Sequence, residues 1–164
     1  MDPTELLRRR RLHLDRLATT GGALGERAAA VQRADWIARP KGAALRNLLA
    51  VLAERGVTIR ASSFDAVAVP PDVQLDLLDL ASIREHIARL VFVEIKTARQ
   101  PRVRPDFAGF FFALTEGEIE AAVALADQHC VALFNALTNE MTITTVAEIL
   151  RRSRSTTMQI SVQL

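Results

Sequence analysis

The segment Leu90-Val91-Phe92-Val93-Glu94-Ile95-Lys96-Thr97 sets two polar, chemically competent groups into an apolar strand pattern. Alternate residues of a strand emerge on one side. Glu94 and Lys96 therefore present a carboxylate and an ammonium to the same point. Lysine is scarce in this chain: of 21 basic residues only Lys41 and Lys96 are Lys, and the rest are Arg. An ammonium on a flexible stem suits a metal-and-water site.

Such a site needs a second carboxylate. Asp65 opens the apolar run Phe64-Asp65-Ala66-Val67-Ala68-Val69, and Asp72 follows Pro70-Pro71. If 64–69 and 90–96 are antiparallel strands with Val69 opposite Leu90, Asp65 faces Glu94, and opposed Cβ atoms lie about 5 Å apart. Asp72 would be roughly 23 Å further along the same strand, so Asp65 is favoured and Asp72 reads as a helix cap. The register is the step on which this depends. Two carboxylates that close repel unless a cation lies between them. Oxygen ligands without a His or Cys cluster favour Mg²⁺ or Mn²⁺ over Zn²⁺. Asp65, Glu94 and the Ile95 carbonyl are the candidate ligands. Lys96 would orient a water or neutralise developing charge. The plainer alternative is a structural Glu94–Lys96 ion pair at a strand end.

The elements that must position these residues can be read from periodicity. Helices are expected over residues 4–18, 23–38 and 42–54. The last carries Leu45, Leu48, Leu49 and Leu52 on one face, with Gly56 as a stop. Strands are expected over 57–60 and 64–69, a helix over 73–89 capped by Asp72, and the site strand over 90–96. A basic loop, 99–107, leads to a strand over 110–114. Thr115 then caps a helix over 116–129, with Glu118 completing a capping box. A buried strand over 130–137, a helix over 144–153 and a half-buried terminal strand over 156–163 end the chain. The expected class is α/β, an α+β arrangement around a mixed sheet.

Composition sets the frame. A chain of 164 residues with 49% hydrophobic residues is one folded domain with a real core. No apolar run reaches membrane-spanning length, and no signal-peptide pattern opens the chain, so a cytoplasmic protein is expected. Cys130 is alone and reads as a core residue. Net charge is only +2, but residues 1–60 carry 12 basic and 6 acidic side chains, while 114–148 carry 6 acidic and none basic. That asymmetry permits an anionic partner on one face or a set of solvated helix faces. Arg99, Arg102 and Arg104 leave the site strand and are candidates for phosphate contact, with solvated loop charge as the alternative. Arg8 to Arg11 span a whole helical turn and so cannot all face one surface. His13, His86 and His129 show no metal-ligand spacing. Phe110, Phe111 and Phe112 read as core, and Trp36 as an anchor on the second helix. No glycine-rich phosphate loop is present, which argues against an ATP-driven activity.

Asp65 with Glu94-Ile95-Lys96, in this strand order, resembles the PD-(D/E)XK nuclease superfamily over about residues 41–137. Phe92-Val93-Glu94-Ile95-Lys96-Thr97 followed by Phe111-Phe112-Ala113-Leu114-Thr115-Glu116-Gly117-Glu118 is similar to its restriction-endonuclease-like domains of the NO VEIN C-terminal type. The resemblance implies a restriction-endonuclease-like domain over 41–164, preceded by a helical segment, 1–40, used for dimerisation or DNA contact. It implies Mg²⁺-dependent hydrolysis of phosphodiester bonds in DNA, in a setting such as restriction or phage defence, with Asp65 and Glu94 as ligands and Lys96 as the catalytic cation. Cutting both strands of a duplex suggests a two-fold dimer. Many relatives carry a Glu in the first core helix. Here Arg46 occupies that slot, which keeps open a second reading: an inactive nuclease-fold domain that binds DNA or a protein. Arg46 would then be a DNA contact.

Overall fold

A computed structural model describes residues 29, 32–99, 104, 107–110 and 112–153. Strand β1 is Trp36–Ala38, helix α1 Gly42–Glu54, β2 Ala66–Ala68, α2 Leu80–His86, β3 Val91–Ala98, α3 Glu116–Leu125, β4 His129–Asn135, β5 Glu140–Thr144 and α4 Val146–Arg152. The five strands form one mixed sheet in the order β1-β2-β3-β4-β5. β1, β2 and β3 are antiparallel neighbours, β4 runs parallel to β3, and β5 is antiparallel to β4. A parallel pair needs a long crossover, and α3 is part of that connection.

The β2–β3 register pairs Ala66 with Val93, Val67 with Phe92 and Ala68 with Val91. Continued by one step in each direction it sets Val69 against Leu90 and Asp65 against Glu94, the register assumed from the sequence. The Asp65 N–H donates to the Val93 carbonyl at 2.8 Å, which extends the pairing to Asp65 itself.

One sheet face, carrying Val67 and Phe92, is covered by Leu48, Val51 and Leu52 of α1, Ile83 of α2 and Ala121 and Leu125 of α3. Phe64 meets Phe92 edge-on at 5.1 Å between ring centroids. The opposite face carries Trp36, Ala66, Val93, Ile95, Ala132 and Phe134. Val131 and Leu133 of β4 pack with Phe107 and Val146. Burying each Val, Leu, Ile or Phe side chain among these contributes roughly 1.5–3 kcal/mol.

Several expected elements differ. Within the helix expected over 23–38, residues 32–35 form a turn and Trp36–Ala38 form β1, because Trp36–Ala38 pairs with β2 and the Val69 N–H donates to the Asp35 carbonyl at 2.7 Å; residues 23–28, 30 and 31 lie outside the described residues. Residues 57–60 are not a strand. The Val57 N–H turns back to the Leu52 carbonyl at 3.0 Å, and β1 fills the place beside β2. The helix expected from Asp72 starts at Leu80. Asp76 accepts from the Leu78 N–H at 2.8 Å, and Asp79 accepts from the Ala81 and Ser82 N–H groups at 2.9 and 3.3 Å. Such side-chain-to-backbone bonds compete with helix, and Asp79 is the true N-cap. Asp72 instead pairs with Arg89 at 2.8 Å.

The described residues around 110–114 form no strand; Phe110, Phe112 and Leu114 pack on the Val131–Leu133 cluster. Residues 140–144 form β5, for which no element is expected, and the helix expected over 144–153 is α4, Val146–Arg152. The hairpin turns at Asn139, whose φ of 59° lies in the left-handed region that Asn tolerates. The terminal strand over 156–163 and the helix over 4–18 lie outside the described residues.

α1 and the α3 N-terminus match expectation. α1 ends into Gly56 at φ +78°, where an L side chain would be strained. Thr115 and Glu118 form the expected capping box. Among the described residues no helix is long and apolar enough to cross a membrane.

Candidate active site

β3 places Phe92, Glu94 and Lys96 on one face. Phe92 sits in the apolar core, and two residues on the strand turns from packing to polar chemistry. Glu94 is 4% exposed. The Lys96 ammonium lies 2.8 Å from Glu94 Oε1. It also donates to Glu118 Oε2 at 2.7 Å. Periodicity marks Glu118 only as a capping residue, and its approach to Lys96 is produced by α3 packing on this sheet face. No local signal connects positions 22 residues apart.

Asp65 arrives from β2. Its Oδ2 accepts from the Ile95 N–H at 2.9 Å. Arg39, at the end of β1, donates through its backbone N–H to the Asp65 carbonyl at 2.7 Å. The Arg39 guanidinium donates to the Phe64 carbonyl at 3.1 Å and lies 4.0 Å from Asp65 Oδ1. Arg39 becomes visible as a site neighbour only once β1 is known to flank β2.

The electrostatics follow from three carboxyl groups sharing one buried ammonium. Burial pushes the Glu94 carboxyl up to about 8, against the pull of Lys96 and with added repulsion from Asp65 and Glu118. Burial also raises Asp65, opposed by the Ile95 N–H and by Arg39 and Lys96. Burial disfavours the Lys96 ammonium, but Glu94 and Glu118 outweigh it, and Lys96 is held above its ordinary value. Lys96 is therefore charged at neutral pH, and the cluster retains a proton on its carboxyl side.

Glu94 Oε2 is buried and accepts no hydrogen bond among the described residues. The Glu94 carboxyl hydrogen-bonds the Asp65 side chain, and a cation between the two carboxylates would take the place of the proton that Glu94 holds. A hard divalent cation fits this donor set, with Asp65 and Glu94 as the protein carboxylates. Among the described residues no group of three or more His, Cys, Asp or Glu is arranged to hold a metal ion. Water and substrate oxygens would complete such a shell, as Mg²⁺ accepts.

No family model, curated protein or solved structure matches this chain.

The remaining candidates divide. The Ile95 side chain lies on the opposite sheet face, so only its backbone faces the site, where its N–H donates to Asp65. Arg99 and Arg104 are exposed, and Arg102 lies outside the described residues. Arg46 is exposed on α1, beside Asn47, whose side chain donates to the Leu77 carbonyl at 3.2 Å. Asp72 takes no part in the cluster. His129 is buried with Nε2 unpartnered, and burial lowers its pKa against the opposing charge of Glu118. Burial pushes the Cys130 thiol up to about 11, which makes it a poor nucleophile.

Proposed function

We propose that this domain is a metal-dependent endodeoxyribonuclease with a restriction-endonuclease-like core. The observation that carries the proposal is the meeting of Asp65 with Glu94 and Lys96 across an antiparallel β2–β3 pair. Asp65 and Glu94 would hold Mg²⁺ or Mn²⁺. Such an ion, when bound, polarises a phosphoryl oxygen and lowers the pKa of bound water. The chain's own residues supply the rest. The Ile95 N–H orients Asp65. Lys96, fixed beside Glu94, orients an attacking water or offsets charge developing on the phosphate. Arg99 and Arg104 are exposed in the segment that follows β3 and suit phosphate contact. Double-stranded DNA is the proposed substrate, a homodimer the proposed working form, and restriction or phage defence the proposed setting.

The test is incubation of the purified protein with supercoiled plasmid plus Mg²⁺ or Mn²⁺, beside a Lys96→Ala variant. Nicking or linearisation by the wild type alone supports the assignment. Absence of cleavage with both metals sinks it.

A second reading is an inactive nuclease-fold domain that binds DNA or a protein. Arg46 on α1, and a carboxylate pair with no third acidic partner arranged for a metal among the described residues, favour it. Calorimetry separates the two: tight, Asp65-dependent Mn²⁺ binding counts against the inactive form.

A further inference from the structure

We infer that Glu118 is the positioning residue for Lys96. The inference rests on the nuclease reading for its catalytic consequence, but not for its structural content. Glu118 is 7% exposed. One of its oxygens, Oε2, serves two donors: the Lys96 ammonium at 2.7 Å and the Thr115 backbone N–H at 3.0 Å. The Glu118 N–H in turn donates to Thr115 Oγ1 at 3.3 Å. The carboxylate is thus held at the first turn of α3 by the Thr115 backbone N–H, and the held carboxylate fixes the end of a long, rotatable side chain.

The geometry excludes a simple cap. A capping box needs only the reciprocal bonds between the N-cap and N3 residues, and Gln serves at N3 as Glu does. The contact with Lys96 is additional, charge-assisted and almost dry. Glu94 alone would leave the ammonium free to swing about one contact. Glu94 and Glu118 approach it at 2.8 and 2.7 Å and define its position. Glu118 touches neither the proposed cation nor substrate; it acts through Lys96.

Two substitutions separate the roles. Glu118→Gln keeps an oxygen for the Thr115 N–H and removes the charge that holds Lys96. Thr115→Val removes the hydroxyl cap and leaves Glu118 charged. With only two lysines in the chain, a lysine-¹⁵N-labelled sample gives a simple ammonium spectrum, and Lys41→Arg assigns the Lys96 signal. The wild type is expected to show a slowly exchanging Lys96 ammonium. Glu118→Gln is expected to speed that exchange about tenfold or more, the scale of a lost charge-assisted hydrogen bond, with little change in Tm. Thr115→Val is expected to lower Tm and leave the exchange unchanged. In the plasmid assay Glu118→Gln is expected to lower kcat about tenfold with KM nearly constant, as for an interaction used in the transition state.

A wild-type Lys96 ammonium that exchanges as fast as that of Lys41 overturns the inference. So does a folded Glu118→Gln protein with wild-type exchange. A Glu118→Gln protein that fails to fold, while Thr115→Val folds with a fast-exchanging Lys96, overturns it as well. If the wild type cuts no DNA, the nuclease reading fails by itself, and the exchange measurement still decides whether Glu118 holds Lys96.

Discussion

Ile95 donates its backbone N–H to Asp65 Oδ2 at 2.9 Å, although the two residues lie on different strands. The bond ties the β2–β3 register directly to the site. Slipping β2 by one residue would turn Asp65 to the other sheet face. It would also leave the Ile95 N–H unpaired at this point. Asp65→Asn keeps an acceptor for that N–H and removes the charge. The expected result is a folded protein whose cleavage falls at least about 100-fold, the scale of losing a preorganised electrostatic contact. Asp65→Ala should lose cleavage too, and in addition about 1–3 kcal/mol of stability from the orphaned donor. Plasmid cleavage and urea unfolding measure both. Unchanged cleavage by Asp65→Asn removes Asp65 from the mechanism.

Lys96 is the counter-charge of the cluster. Lys96→Ala leaves Glu94 and Glu118 buried against one another. The expected destabilisation is about 3 kcal/mol at pH 9, the scale of stripping one partner from a buried pair. The deficit should be smaller at pH 6, where Glu94 carries a proton. Urea titrations at the two pH values test this. An equal deficit at both pH values contradicts the charge argument.

Glu94 sets a pH dependence whose sign is opposite to that of a salt-bridged surface carboxylate. Its folded value is about 8, against an ordinary value of 4.5. Between those values the native state binds more protons than the unfolded chain. Stability therefore declines as pH rises through the window. Glu94→Gln removes the titration. In EDTA, the variant's Tm is expected to vary less than that of the wild type between pH 5 and pH 8, and its relative gain to be largest near pH 8. A wild-type protein whose stability rises across this interval would contradict the buried, protonated Glu94.

β1 contributes Trp36, the only Trp, to the core, and sets Arg39 next to Asp65. A chain beginning at Lys41 loses both, and exposes the β2 edge. It is expected to unfold at lower urea concentration than the full chain and to bind Mn²⁺ more weakly. A chain beginning at Gln32 keeps β1 and should report native burial through blue-shifted Trp36 fluorescence. Equal stability of the two truncations would show that β1 is dispensable.

The local sequence determined α1, the Thr115–Glu118 capping box and the apolar pattern of β3. These follow from contacts within a few residues: the i, i+3, i+4 leucines, the cap hydroxyl, and strict alternation about Glu94 and Lys96. Alternation put Asp65 on the same strand face as Val67, and Glu94 on that of Phe92, but the pairing that sets Asp65 opposite Glu94 was decided by the β2–β3 register. The tertiary structure decided the rest. Trp36–Ala38 became a strand because β2 had an unpaired edge, which outweighs the helical pattern of an Ala-rich segment. Asp79 displaced Asp72 as a cap, since Asp76 and Asp79 satisfy nearby N–H groups first. Glu118 reached Lys96 only when α3 packed on the β3 face. Local propensity acts over one or two turns, whereas strand partners and buried charge contacts depend on which distant segments share the core.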